Sequence, residues 1–115
     1  MQKYLFLFIN LVLFVACAPK ENNVVPADVI SQETMQQILT DMHLAEAMAA
    51  RNQESADTVA ARALGYYEKI YTKYKITESE FMKSYDFYTQ HPVLLDSIYS
   101  KMIDELSIKE AFLRK

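Results

Sequence analysis

Apolar residues recur along most of this chain at helical spacing. Met35, Ile38, Met42, Ala45 and Ala49 follow one another at intervals of three and four, and Leu39 widens the seam. That rhythm predicts an amphipathic helix, because residues three and four apart share a face. Ser31 stands where an N-cap belongs, and the helix is expected to run to about Arg51. After a polar break at 52–55, Val59, Ala63, Tyr66, Tyr67, Ile70 and Tyr74 define a second stripe, with Ser55 as its cap. Gly65 falls inside this stretch, where it either permits close helix contact or marks a kink.

The next stretch, Thr77-Glu78-Ser79-Glu80, has the form of a capping box, Thr at N-cap and Glu at N3. It predicts a helix to about Gln90 with Phe81, Tyr85 and Tyr88 inward. Pro92 suits the first turn of a fourth helix, since the N–H it lacks has no intrahelical partner there. Leu94, Leu95, Ile98, Tyr99, Met102 and Leu106 form that helix's stripe, which ends near Leu113. Lys109, Arg114 and Lys115 lie toward its C-terminal, negative end. The expected fold class is therefore all-α, a small bundle of about four helices over residues 31–115.

The N-terminus breaks this pattern. Lys3 precedes a run, Leu5–Val15, that is apolar apart from Asn10, and Ala16 precedes the chain's one cysteine, Cys17. The run is too short for a membrane-spanning helix, which needs about 20 apolar residues. Pro19, Lys20 and Glu21 close it. The layout is that of a secretory signal. Phe14-Val15-Ala16-Cys17 resembles a bacterial lipobox, with Phe14 where Leu is usual. On this reading residues 1–16 are a cleaved signal peptide and Cys17 is the lipidation site. Residues 17–30 are then a short flexible tether, reaching about 40 Å at ~3.3 Å per residue. Acyl chains on Cys17 would attach the chain to a membrane. By resemblance to other lipoproteins, Ala18 after the cysteine implies the outer membrane. The default is its periplasmic face, and Lys20-Glu21 faintly resembles a surface-export signal.

Composition narrows the function classes. Of the 115 residues, 12 are basic and 15 acidic; Lys3 lies in the leader, so 11 basic residues face the 15 acids beyond it. A net acidic chain lacks the concentrated basic face of a nucleic-acid binder. One cysteine excludes an internal disulfide framework. One glycine excludes a phosphate-cradling loop or dinucleotide fingerprint, and there is no G-x-S-x-G elbow. No cofactor is expected.

A few residues remain as candidates for chemistry or binding. His43 and Glu46, three apart, would present two ligand-type groups from one helix face, and Asp41 beside them completes a polar cluster. Asp41 points away from the shared face. A metal centre would need further ligands from other helices, for which His91 is the one nameable candidate. Glu46 borders the apolar seam. Its carboxylate needs solvent or a partner, which tyrosine hydroxyls of the second helix, Arg62 or His43 would supply. The plainer reading is a polar contact fixing helix register.

Leu44 and Met48 lie off the main stripe of their helix, and Phe87 falls roughly opposite Phe81 and Tyr88 on its own. These three are expected to form a second contact surface. Seven of the eight tyrosines lie between Tyr66 and Tyr99, giving bulk with a polar tip for a core or an interface. The five methionines beyond the leader are gap-fillers or adaptable contacts.

The order of features carries a resemblance. The lipobox, then "DMHLAEA" (41–47), then "YEKIYTKYKITESEFMKSYDFYTQHPVLLDSIY" (67–99) resembles domain-of-unknown-function family 4296, small lipoproteins of Gram-negative bacteria. The resemblance implies a helical fold and a lipid anchor, and no activity. The expectation is a non-enzymatic protein, anchored to a membrane through Cys17 and binding an envelope protein or component. A periplasmic chaperone-like or assembly factor is the alternative. A small metal-binding protein or hydrolase using His43 and Glu46 is a third.

Overall fold

In the computed structural model, residues 22–52 and 55–114 are described; Cys17 and the stretch expected to be a signal peptide lie outside them. The described chain forms four α-helices and no strand: α1 (Gln32–Ala49), α2 (Ala56–Tyr74), α3 (Glu78–Thr89) and α4 (Pro92–Leu113), with a 3-10 turn, Ala50–Asn52, after α1. None of the described helices is long and apolar enough to cross a membrane.

Local chemistry sets the helix ends. The Ser31 hydroxyl accepts from the Thr34 N–H at 3.2 Å and opens α1. The α2–α3 joint is a Schellman motif: Ile76 N–H reaches back to Tyr71 O, and Lys75 N–H to Thr72 O. Lys75 takes the left-handed conformation there, φ 55°, where glycine is the usual residue. One residue further on, the capping box forms in full. Thr77 Oγ1 accepts from Glu80 N–H at 3.2 Å, and the Glu80 carboxylate accepts from Thr77 N–H at 2.7 Å. That backbone bond holds the Glu80 carboxyl below its ordinary value. Pro92 occupies the first turn of α4. Gly65 neither kinks α2 nor admits a neighbour; a Cβ there would meet open space.

Helix α1 is central and packs against both α2 and α4, while α3 packs against α4. Its partners on α2 fall in number as its own rise: Asp41 with Tyr74, Glu46 with Tyr67, Ala49 with Arg62. The two helices are thus an antiparallel hairpin. Met35, Ile38, Leu39, Met42, Ala45 and Ala49 are all buried, as the α1 seam predicts. All but Ala49 meet Ile98 and Met102 of α4 and Phe81 and Tyr88 of α3 in one core. At about 25 cal/mol per Å² of apolar area removed from water, this contact is the main driving force for the fold. Helix α2 contributes less, since only Ile70 is fully buried and its tyrosines are half-buried.

The stretch expected to be a free tether up to residue 30 is docked over its last part. Val25, Val29 and Ile30 pack against the core. Ile30 N–H donates to Ser84 Oγ at 2.9 Å, and Tyr88 Oη donates to Ile30 O at 2.7 Å. Both side chains on α3 are buried, Ser84 at 1 % and Tyr88 at 0 % exposure. A buried hydroxyl needs a partner, and the backbone of Ile30 supplies one to each. Lys83 adds an ion pair to Asp28, whose carboxyl is held low by that hydrogen bond.

Candidate functional site

His43 and Glu46 meet as the i, i+3 spacing predicts, with Nδ1 3.4 Å from the carboxylate and both side chains about half exposed. Of the partners open to Glu46, the fold selects His43 and Tyr67, whose hydroxyl donates to the carboxylate. Arg62 instead donates to Ala49 O at 3.3 Å, one of the carbonyls left free at the end of α1. Burial, then the Glu46 bond, push the Tyr67 phenol up to about 12. The ring of Tyr99, from α4, lies 6.4 Å from that of His43. Tyr99 is itself raised to about 12, first by its contact with Tyr85 and then by burial.

Behind this pair lies a recess of about 360 Å³ into which all four helices send side chains. Tyr67 and Tyr71 come from α2, Phe81 and Tyr85 from α3, Tyr99 from α4, over a floor of Leu39 and Met42 from α1. Phe81 packs between two tyrosine rings, 5.7 Å from Tyr71 and 5.8 Å from Tyr85. Both distances lie within the range of favourable aromatic pairs. The volume and the apolar wall with a few polar groups match a small-molecule site in kind.

Asp41 does not join this group. It accepts from Lys73 Nζ at 2.7 Å and from Tyr74 Oη at 2.8 Å, on another side of α1. Two positions on a helix are about 200° apart, so Asp41 and His43 cannot share a face. The Asp41 hydrogen bond raises the Lys73 ammonium, and Tyr74 is raised by burial and then by Asp41. The expected cluster is therefore two separate contacts between α1 and α2. Among the described residues no three His, Cys, Asp or Glu side chains gather as a metal site. His91 lies elsewhere, its Nδ1 2.7 Å from Phe87 O.

The expected surface of Leu44, Met48 and Phe87 also divides. Leu44 and Met48 are exposed and line a shallow groove of about 300 Å³ with Tyr66, Lys69 and Lys73 of α2. Phe87 is no part of it. It packs edge-on to Tyr88 at 5.3 Å and stacks on His91 at 4.1 Å, half-buried against the core. Adjacent helical positions differ by about 100°, so Phe87 flanks Tyr88 rather than opposing it.

A larger apolar surface was missed from sequence. On α4, Ile103, Ile108, Phe112 and Leu113 are 58, 58, 72 and 87 % exposed, beyond the last buried residue, Met102. Its signal was an excess: α4 carries more apolar residues than one stripe can hold. Ile103 and Ile108 fall off the face shared by Ile98, Met102 and Leu106, whereas Phe112 returns to the angle of the buried Leu94 but lies past the end of the core.

These features define a small all-α domain with a tyrosine-lined recess and an exposed apolar helix end. The chain belongs to the family described as Domain of unknown function (DUF4296), whose model matches residues 26–111. The matched region takes in most of the docked residues ahead of α1 and the helices up to residue 111 of α4. No curated protein and no solved structure matches the chain.

Proposed function

We propose that this protein is a lipid-anchored, non-catalytic component of a bacterial cell envelope whose helical domain binds another envelope protein or component. The observation that carries the binding half is the exposed apolar pair Ile108 and Phe112, neighbours one turn apart on the end of α4. Solvent-exposed apolar groups are ordinary one at a time, but a contiguous set marks an interaction surface. The anchor rests on the sequence Phe14–Cys17, which lies outside the described residues. Two or more acyl chains at Cys17 make attachment stable. Tethering then raises the effective concentration of the α4 surface near a membrane-bound partner. By resemblance to other lipoproteins, Ala18 after Cys17 favours the outer membrane, with its periplasmic face as the default location.

Two measurements test this. Mass spectrometry of the mature polypeptide from a Gram-negative host should find an acylated Cys17 at its N-terminus, and Cys17→Ser should leave the membrane fraction. An unmodified thiol, or a retained leader, removes the anchor. A photo-cross-linker at Phe112 should trap one dominant envelope protein in cells. Capture of many unrelated unfolded proteins instead favours the chaperone-like reading.

A further inference from the structure

The tyrosine-lined recess carries acids without a lysine or arginine. Five phenyl or phenol rings and His43 wall it, and the acids on its lining are Glu46, which meets His43 and Tyr67, and Glu78. Glu78, at the start of α3, has no ion-pair partner among the described residues. Both carboxylates act on the phenols of the wall. The Tyr67 proton is held by burial and then by Glu46, and the Tyr71 proton by burial and then by the charge of Glu78. Negative potential therefore reaches into an apolar cleft, where low-dielectric walls concentrate it. Aromatic faces add to this field, because their quadrupoles attract cations.

We infer that the recess binds a small aliphatic ammonium ion, its charged head drawn by Glu46 and Glu78 and its alkyl body packed on Leu39, Met42 and Phe81. This ligand suits both halves of the wall. A neutral alkane would leave Glu78 without a counter-charge, and an anion would be repelled by both carboxylates. A bulky polar molecule would leave the apolar floor unfilled. The cavity, about 360 Å³, accepts a chain of several carbons. Leu64 and Met82, both largely exposed, are lining residues that reach toward solvent. The inference does not depend on the α4 surface or on the anchor.

Butylammonium and butan-1-ol differ in charge at nearly equal size, and both stay in water. The purified full-length protein in a non-ionic detergent is titrated with each, and methionine methyl resonances are followed. Butylammonium should shift the Met42 and Met82 methyls and bind about tenfold more tightly than the alcohol, the scale of a partly desolvated cation–π contact. Glu78→Gln, on an exposed position, should weaken the amine several-fold and leave the alcohol unchanged. Equal affinity for the two probes overturns the proposal, as do shifts confined to methyls outside the recess. If Glu78→Gln impairs α3, the comparison of probes on the unmodified chain still decides. Tighter binding of a blocked lysine peptide than of butylammonium would overturn the small-molecule occupant in favour of a partner's side chain.

Discussion

The hydroxyl of Tyr88 donates to the carbonyl of Ile30 at 2.7 Å, joining a residue deep in α3 to the turn-containing segment that precedes α1. The two residues are 58 positions apart. Tyr88 is fully buried, and burial raises its phenol above the ordinary tyrosine value. The bond satisfies a hydroxyl that has no water to turn to, and fixes where the domain ends and the chain toward Cys17 begins.

Tyr88→Phe keeps the ring and strands the Ile30 carbonyl. A buried acceptor without its partner costs about 1–3 kcal/mol. Chemical denaturation should show a loss in that range, and the Ile30 amide, held by Ser84, should exchange faster with solvent. An unchanged midpoint together with unchanged exchange would show that the remaining contacts, the packing of Val25, Val29 and Ile30, the Ser84 bond and the Asp28–Lys83 pair, hold the segment without it.

Gly65 lies in the middle of α2, exposed, with open space where a Cβ would stand. Glycine in a helix interior costs about 1 kcal/mol relative to alanine. Gly65→Ala should therefore stabilise the domain by about that amount, raising Tm by about 4–8 °C for a domain of this size. A decrease would mean that the glycine serves a contact made outside this chain.

Lys75 pairs an ordinary side chain with a left-handed backbone at the end of α2. Relieving it by Lys75→Gly should stabilise the protein by about 0.5–1 kcal/mol, net of the glycine's greater freedom when unfolded. Lys75→Val should destabilise it, because a β-branched side chain fits that conformation worst. Thermal melts of the two variants should move in opposite directions.

The phenols of Tyr67 and Tyr99 are both pushed up to about 12. The folded state thus holds these protons more tightly than the unfolded chain, whose tyrosines titrate near 10. Their contribution to stability is complete below about pH 10 and is lost as pH rises from there through 12. Tyrosinate absorbance should show a fraction of phenols ionising late, coincident with loss of helical signal. In Tyr67→Phe the late fraction should shrink. Ionisation of every tyrosine near pH 10 with the helices intact would contradict the burial of these rings.

Much of this fold was legible along the chain because its determinants are local. The capping box at Thr77, the proline at 92 and the three-four rhythm of α1 each place a helix end or a buried face within a few residues of themselves. The Glu46 contact was legible in the same way on its His43 side, three residues off. The Tyr67 half was open among several partners until α2 folded back antiparallel on α1. The misreadings share one cause. From its own helix alone Phe87 reads as part of a second contact surface, whereas its neighbours Tyr88 and His91 close over it.

The sequence by itself determined four helices, the caps at Ser31 and Thr77, and the central seam of α1. Each is written in spacing or composition, which depend on neighbours along the chain. Only the tertiary structure decided that residues 25–30 dock on α3, that Asp41 parts from His43 and Glu46, and that four helices enclose a recess with acids and no lysine or arginine on its wall. It also decided that α4 outruns the core and leaves Phe112 in solvent. These outcomes depend on which faces meet across dozens of residues. Burial of the α1 seam selects that meeting, and the polar side chains take the partners it brings within reach.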